Sequence, residues 1–134
     1  MANFYGTART NYFKVKDVDA FKAWIETLPS IQLIEKNGEF AFYSTCPDSG
    51  TFPSSVWDEE SEDFVDIDLV LELAKHLTED SIAVLMEAGA EKVRYINGWA
   101  VAVNHKGQIE NIWLDDIYSK AEQRFGIKPT RAEY

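Results

Sequence analysis

The hydrophobic and polar residues of the first thirty positions follow two different periods. Residues 6–16, GTARTNYFKVK, end in an alternating run, which predicts a strand with Phe13 and Val15 facing inward. The next segment, DVDAFKAWIETLP, changes to helical spacing, and its apolar positions are Val18, Phe21, Ile25 and Leu28. Asp17 fits the N-cap of this helix and Pro29 blocks its continuation, so a short helix is predicted after the strand.

Two later stretches have the pattern of strands joined by tight turns. In IQLIEKNGEFAFYST, the β-rich runs 31–35 and 40–45 flank Asn37-Gly38, a dipeptide typical of two-residue hairpin turns. In KVRYINGWAVAVNHKGQIENIWL, Asn97-Gly98 and Lys106-Gly107 separate alternating runs. We therefore predict a hairpin in the first half of the chain and a three-stranded meander in the second half.

Three further segments favour helices by composition. These are DIDLVLELAKHL at 66–77, TEDSIAVLMEAGA at 78–90 and DDIYSKAEQRFG at 115–126. Their predicted N-caps are Asp66 or Asp68, Thr78, and Asp115 or Asp116. The second helix would have an apolar stripe of Ile82, Leu85 and Met86.

The predicted element order is β-α-β-β-α-α-β-β-β-α, in which most strands are joined by hairpins. This order predicts an α+β fold with an antiparallel sheet of about five to six strands and helices packed mainly on one face. A hydrophobic fraction of 46% excludes global disorder. We expect a single domain at 1–134, containing an acidic loop at 46–65 and ending in a flexible tail at 127–134.

The excess negative charge of the chain comes from its middle segment. The net charge is −10, and residues 37–74 contain ten acidic and no basic residues, whereas the remainder contains thirteen of each. The ten are Glu39, Asp48, Asp58, Glu59, Glu60, Glu62, Asp63, Asp66, Asp68 and Glu72. Because phosphate binding requires cations, this charge opposes direct contact with nucleic acid or anionic membranes. The expected partner is therefore a basic protein.

The densest part of this segment, VWDEESEDFVDID at 56–68, has three interpretations. It is a solvated loop that leads into a helix N-terminus, where the helix dipole favours carboxylates. Alternatively, it is a surface for a basic protein, because five carboxylates in residues 58–63 repel one another within a Debye length of about 8 Å. The third interpretation, a cation site, lacks the central glycine and the final glutamate of a calcium loop, so no metal or cofactor is predicted.

Nucleophilic chemistry would depend on very few residues. Cys46, His76 and His105 are the only cysteine and histidines of the chain, so a thiol enzyme would have to combine them in space. A pocket near Cys46 and the polar strand end formed by Arg9, Thr10 and Asn11 is the alternative site, for a small cytosolic enzyme or a ligand-binding module. Phosphate-binding and zinc-binding motifs are absent from the sequence. Trp99 and Trp113 fall in adjacent predicted strands and are expected to be cross-strand partners.

Both ends of the chain resemble small acidic proteins of bacteriophages and mobile elements. The resemblance is carried by FYGTARTNYFKVKD and by VRYINGWAVAVNHKGQIENIWLDDIYSKAEQRFG, and it omits the acidic middle segment. It implies an anti-defence protein of the anti-CRISPR or anti-restriction kind, some of which act as DNA mimics. These families share charge and size without a common motif, so the resemblance implies no site residue.

These observations lead to one main hypothesis. We expect a non-enzymatic inhibitor that binds a basic, nucleic-acid-handling host protein. The expected binding residues are the seven carboxylates Asp58, Glu59, Glu60, Glu62, Asp63, Asp66 and Asp68, with Trp57 and Phe64 as apolar anchors. The single cysteine and the lack of a signal-peptide core or a long apolar run predict a cytoplasmic location, in the host cell if a phage encodes the chain. A self-associating assembly protein is the third hypothesis.

Overall fold

The computed structural model of the chain describes residues 5–47 and 49–133. The elements in these residues are β1 (Tyr5–Thr10), α1 (Val18–Glu26), β2 (Ile31–Lys36), β3 (Glu39–Ser44), β4 (Ser55–Asp58), β5 (Asp63–Asp66), α2 (Leu69–Ala74), β6 (Ala83–Glu91), β7 (Tyr95–Val103), β8 (Ile109–Trp113) and α3 (Asp116–Phe125). Compared with the predicted order, one helix is replaced by a strand, the acidic segment contains two additional strands, and the first two strands of the predicted meander are one strand, β7.

Six strands form one antiparallel sheet in the order β2-β3-β1-β6-β7-β8, and β4 and β5 form a separate two-stranded sheet. Phe21 of α1 and Leu73 of α2 are fully buried in one cluster with Phe42, Leu85 and Val103, which belong to one face of the large sheet. The predicted α+β class, with an antiparallel sheet and helices on one face, is confirmed.

An aromatic cluster forms the centre of this core. Phe13, Phe21, Phe40 and Phe42 are each at most 1% exposed, and their rings meet at centroid distances of 5.3–6.1 Å. Burying a side chain of this size stabilises the fold by roughly 1.5–3 kcal/mol. The side chain of Asp17 accepts a hydrogen bond from the amide of Ala20, which confirms it as the N-cap of α1.

The first strand ends earlier than predicted, although its inward residues are correct. Beyond Thr10, side chains replace part of the ladder, because the Asn11 amide group donates to the Ile82 carbonyl and accepts from the Val84 amide. Phe13 and Val15 still make isolated bridges, to Phe40 and Leu77 respectively.

The predicted hairpin is confirmed: Lys36 pairs with Glu39, and Asn37 and Gly38 both have positive φ in the turn.

The predicted helix at 78–90 is wrong, since most of that segment is strand β6. Ala83 and Leu85 are fully buried on one face, whereas Ile82 and Met86, which the helical stripe required to be buried, are 51% and 56% exposed. Alanine, leucine, methionine and glutamate favour helices. Here the pairing of β6 with β1 on one side and β7 on the other overrides that propensity.

The first predicted turn of the meander is also wrong. Gly98 lies inside β7, opposite Ala88, and a Cβ atom on it would come within 2.8 Å of a Leu114 methyl group. The glycine is therefore needed for close packing inside a strand and not for a turn. The second predicted turn is confirmed, with Gly107 at φ +78° between β7 and β8.

Helix α3 differs from the other two helices because it has no buried residue. Asp115 occupies its N-cap position without a side-chain cap bond, and Asp116 instead accepts a hydrogen bond from the Trp113 amide. Gly126, the last residue of the predicted segment, ends the helix and has the left-handed conformation. The segment 127–133 contains no helix or strand, and its Arg131 pairs with Asp115 at 2.9 Å.

Candidate functional site

The segment predicted as an acidic loop at 46–65 instead contains most of a β-hairpin. Ser55 pairs with Asp66, Val56 with Val65, Trp57 with Phe64, and Asp58 with Asp63. We call β4, β5 and the turn at 59–62 the acidic hairpin. The Pro, Gly and Ser content of 46–65 and its charge favour a loop, but Val56, Trp57, Phe64 and Val65 supply the cross-strand pairs that a hairpin needs. Asp48, the remaining acid of the predicted loop, lies outside the described residues.

Negative charge is concentrated at the tip of the acidic hairpin. Asp58 and Asp63 lie directly opposite each other, an arrangement that destabilises a strand pair when both side chains are charged. The turn between them adds Glu59, Glu60 and Glu62, all exposed. Glu62 has φ +51°, in the left-handed region that non-glycine residues occupy at a cost. The tip is therefore both crowded with charge and locally strained.

Backbone and hydroxyl groups organise the tip without neutralising it. The Asp58 carboxylate accepts hydrogen bonds from the Glu60 amide at 3.3 Å and from the Ser61 hydroxyl at 2.9 Å. The Asp63 carboxylate accepts from the Phe64 amide at 2.8 Å. Within the described residues, none of the seven carboxylates between 58 and 68 forms an ion pair with a lysine or arginine. This charge is therefore free to meet a cation from outside the chain.

Trp57 and Phe64 form an apolar pair on one face of the acidic hairpin. Their rings meet edge to face at a centroid distance of 5.3 Å, and the residues remain 50% and 65% exposed. An edge-to-face pair of this kind is worth about 0.5–1.5 kcal/mol beyond the area that it buries. The pair stabilises the hairpin and leaves aromatic surface exposed on it.

Asp66 and Asp68 lie at the base of the acidic hairpin and have different environments. Asp68 is the N-cap of α2, since its carboxylate accepts from the Leu71 amide at 3.1 Å. This selects Asp68 from the two predicted caps. Asp66 ends β5 with an exposed side chain and lies on the rim of a cavity of about 670 Å³. Only Asp68 is thus accounted for by the helix N-terminus.

Sequence reasoning missed Glu87, which lies in the wall of that cavity. One carboxylate oxygen of Glu87 accepts from the Phe52 amide and the other from the Trp99 indole, both at 2.9 Å. The predicted helix at 78–90 gave Glu87 no role, because its apolar stripe was Ile82, Leu85 and Met86. Recognising the alternation of Ala83, Leu85 and Glu87 would have placed it on the inner face of the sheet.

The alternative site was expected near Cys46 and the strand end at Arg9, Thr10 and Asn11. Thr10 is 2% exposed, and its hydroxyl donates to the Asn11 carbonyl and accepts from the Phe42 amide. Asn11 joins β1 to β6, as described above. Cys46 is half-buried beside Ser49, whose hydroxyl lies 3.6 Å from the sulfur. Thr10 and Asn11 therefore have structural hydrogen bonds that use their polar groups.

The two histidines occupy separate parts of the fold. His76 stacks on Trp24 at a centroid distance of 5.0 Å and meets the edge of Phe21. Burial, followed by the nearby charge of Lys16, lowers the pKa of His76 below its usual value of 6.5. His105 lies after β7, and its buried Nδ1 has no hydrogen-bond partner among the described residues. His76 is thus accounted for by its packing against Trp24 and Phe21.

The face of the large sheet opposite α1 and α2 is apolar and uncovered along part of its length. Met86, Ala100 and Ile112 pair in one row across β6, β7 and β8, and a groove of about 400 Å³ runs beside them. Met86 is 56% and Ile112 is 63% exposed. We call this surface the open face. In the same chain, α3 leaves Ile117 and Phe125 exposed.

Comparison with protein-family models, with curated proteins and with solved structures finds no match for this chain. In the described part of the chain, no three or more histidine, cysteine or acidic side chains are placed to hold a metal ion. No described helix combines the length and apolarity needed to cross a bilayer. The chemistry of the site therefore has to be argued from its own geometry.

Proposed function

We propose that this chain is a non-enzymatic inhibitor of the anti-defence kind, which binds a basic, nucleic-acid-handling protein through the acidic hairpin. The observation that carries the proposal is a strand pair, outside the six-stranded sheet, whose carboxylates have no cationic partner within the described residues. The folded hairpin holds the backbone that carries these carboxylates, and hydrogen bonds hold the side chains of Asp58 and Asp63, so a partner meets a partly preorganised anionic surface.

Competition with nucleic acid is the mechanism that this arrangement supports. A groove that binds DNA or RNA places lysine and arginine side chains opposite phosphates. The acidic hairpin presents the carboxylates of Asp58, Glu59, Glu60, Glu62 and Asp63 at one exposed end, where they would occupy the same cations. The aromatic pair of Trp57 and Phe64 would add apolar contact beside the charges. A nucleic acid and the hairpin would then exclude each other.

The binding test uses a charge-matched pair of variants. In the hairpin variant, Asp58→Asn, Glu59→Gln, Glu60→Gln and Glu62→Gln remove four charges but preserve side-chain size. In the control variant, Asp19→Asn, Glu26→Gln, Glu35→Gln and Glu110→Gln remove four exposed charges from other elements. Immobilised wild type, hairpin variant and control are each exposed to host lysate at 50 mM and at 500 mM salt.

We expect the wild type and the control to retain the same basic protein at low salt, and the hairpin variant to lose it. The retained protein, once purified, should bind DNA or RNA, and adding the chain should release that nucleic acid in a gel-shift assay. High salt should weaken the complex strongly, because charge steering is screened. Equal retention by the hairpin variant, or a retained protein that does not bind nucleic acid, would refute the proposal.

Self-association is a second candidate function, which the open face favours. Contiguous exposed apolar surface usually marks an interaction site. The chain carries both an apolar groove at Met86 and Ile112 and an uncovered apolar side on α3, so two copies related by a two-fold axis could cover each other. Light scattering should then give twice the monomer mass for the wild type and for Val93→Glu, but the monomer mass for Ile112→Glu. A monomeric wild type at high micromolar concentration would exclude this function.

A further inference from the structure

The cavity beside the base of the acidic hairpin has a mixed lining that suits one class of ligand. Its floor contains Leu85, which is fully buried, and its walls include the aromatic rings of Phe52 and Trp99. The Glu87 carboxylate lies in one wall and Asp66 lies at the rim. A volume of about 670 Å³ falls within the range of ligand sites, about 300–1,000 Å³. We call this space the Glu87 cavity.

Both hydrogen bonds that the described residues make to the Glu87 side chain come from neutral donors. The Phe52 amide and the Trp99 indole each donate to a different carboxylate oxygen, at 2.9 Å. Neither donor carries a charge, and no lysine or arginine of the described chain lines the cavity. A carboxylate has about four acceptor positions, so two remain available to a further donor. The Glu87 carboxylate is thus fixed in orientation and, within residues 5–47 and 49–133, forms no ion pair.

The aromatic walls favour a flat cation. The rings of Phe52 and Trp99 lie 6.3 Å apart at an angle of 50°, and both residues are only half-buried. A cation over a tryptophan face gains about 0.5–1 kcal/mol at an exposed site and about 2 kcal/mol when it loses water. A guanidinium group is planar, stacks on aromatic rings and donates two parallel hydrogen bonds to one carboxylate. It therefore matches both the carboxylate and the rings.

We propose that the Glu87 cavity binds the side chain of an arginine, with the guanidinium group on Glu87 and against Trp99. This inference rests on the proposed function for the origin of the arginine, which would come from the basic partner. Asp66 and Glu87 place two carboxylates at the cavity, beside the base of the acidic hairpin, and the tip carries its carboxylates at the far end of the same hairpin. The tip attracts the partner, and the cavity receives one of its side chains.

The test uses a small probe, so no partner is needed. N-acetyl-L-arginine amide carries the side chain without charged ends, N-acetyl-L-citrulline amide is its neutral isostere, and N-acetyl-L-lysine amide carries a round cation. Each is titrated into the ¹⁵N-labelled full chain, and the indole N–H signal of Trp99 is followed by NMR. We expect the arginine probe to shift this signal saturably and to bind at least fivefold more tightly than the lysine probe, while the citrulline probe produces no saturable shift.

Three variants separate the cavity from the general charge of the chain. Glu87→Gln removes the charge but keeps one side-chain oxygen as acceptor, and it should weaken the arginine probe at least tenfold. Glu110→Gln removes one charge from β8, away from the cavity, and should leave the affinity unchanged. If Glu87→Gln does not fold, Val70→Phe, which fills the cavity from α2, provides the decisive measurement and should also abolish the shift.

The outcomes distinguish this inference from the proposed function. The hairpin variant with four neutralised tip residues should still bind the arginine probe within threefold, although it loses the partner. Saturable probe binding without any partner complex would uphold the cavity and refute the inhibitor. No saturable shift of Trp99 in the wild type, or equal binding of the arginine and citrulline probes, would overturn the arginine site and leave the hairpin proposal standing.

Discussion

Replacing Asp63 with asparagine should stabilise the acidic hairpin of the free protein while weakening its complex with a basic partner. Asp63 lies directly opposite Asp58, and like charges directly opposite each other destabilise a strand pair. Asparagine keeps the oxygen that accepts the Phe64 amide hydrogen, at 2.8 Å in the native chain. The substitution therefore removes a repulsion and preserves the local hydrogen bond.

The size of the effect follows from the strand geometry. Residues directly opposite in an antiparallel pair have Cβ atoms about 4.5–5.5 Å apart. Two unit charges at about 5.5 Å in water repel by about 0.8 kcal/mol. Screening with a Debye length of about 8 Å reduces this to about 0.4 kcal/mol at physiological salt, and a length of about 3 Å at 1 M salt reduces it to about 0.1 kcal/mol. The opening equilibrium of the hairpin should thus change about twofold at physiological salt.

Hydrogen exchange of the β4 and β5 amides, followed by NMR, measures this equilibrium. We expect exchange in Asp63→Asn to slow about threefold at 10 mM salt, where the Debye length is about 30 Å, and to match the wild type at 1 M. Glu110→Gln, which removes one charge from β8, should leave hairpin exchange unchanged. Unchanged or faster exchange in Asp63→Asn at low salt would refute the reasoning. So would a slowing that persists at 1 M salt.

Three other predictions concern the core, the turns and the interface. His76 has a lowered pKa because burial disfavours its charged form, so the unfolded state binds more protons, and stability should fall as pH decreases below about 6.5. In urea titrations, the free energy of unfolding should fall more between pH 7.5 and pH 5.5 for the wild type than for His76→Gln. An equal fall in the two proteins would contradict His76 as the cause. Gly50→Ala should lower the free energy of unfolding by more than about 2 kcal/mol, because the new Cβ atom would overlap the Gly6 carbonyl. Gly38→Ala should lower it by only about 1–2 kcal/mol, because the space around Gly38 is open and only the left-handed φ is unfavourable. Thermal melts would compare the two, and similar losses would show that contact with Gly6 is unimportant. Trp57→Ala should weaken the affinity for a partner at least tenfold in calorimetry. It should not lower the melting temperature of the six-stranded sheet and its helices, since β4 belongs to the separate sheet. Unchanged affinity would show that Trp57 is not part of the interface.

The sequence predicted correctly those elements whose conformation is determined by residues within the element itself. Helix α1 has an apolar stripe at helical spacing and an aspartate cap, and three of the four predicted stripe residues are buried. The hairpin at Asn37-Gly38 contains the dipeptide that two-residue hairpin turns prefer, because both turn residues need positive φ. Trp99 and Trp113 are confirmed as direct cross-strand partners with ring centroids 6.2 Å apart.

The errors arose where a distant contact decides the conformation. Strand β6 consists of residues that favour helices, and only its pairing with β1 and β7 makes it extended. Gly98 resembles a turn residue, but its function is to admit Leu114 from beyond β8. The same kind of contact hid Glu87, whose position in a cavity wall depends on the fold of β6 and on the loop containing Phe52. Charge was visible from composition, whereas its arrangement on a hairpin required the pairing of Trp57 with Phe64.

The acidic hairpin is joined to the rest of the chain at a narrow neck. Ser54 and Ile67 flank the two ends of the hairpin, and the Ile67 amide donates a hydrogen bond to the Ser54 carbonyl at 2.9 Å, so the two ends lie side by side. None of its strands belongs to the six-stranded sheet. Residues 55–66 are consequently a cassette: a glycine bridge between Ser54 and Ile67 should remove them and leave the sheet folded. Selection can rewrite the charge, length or aromatic content of such a cassette without disturbing the scaffold that carries it.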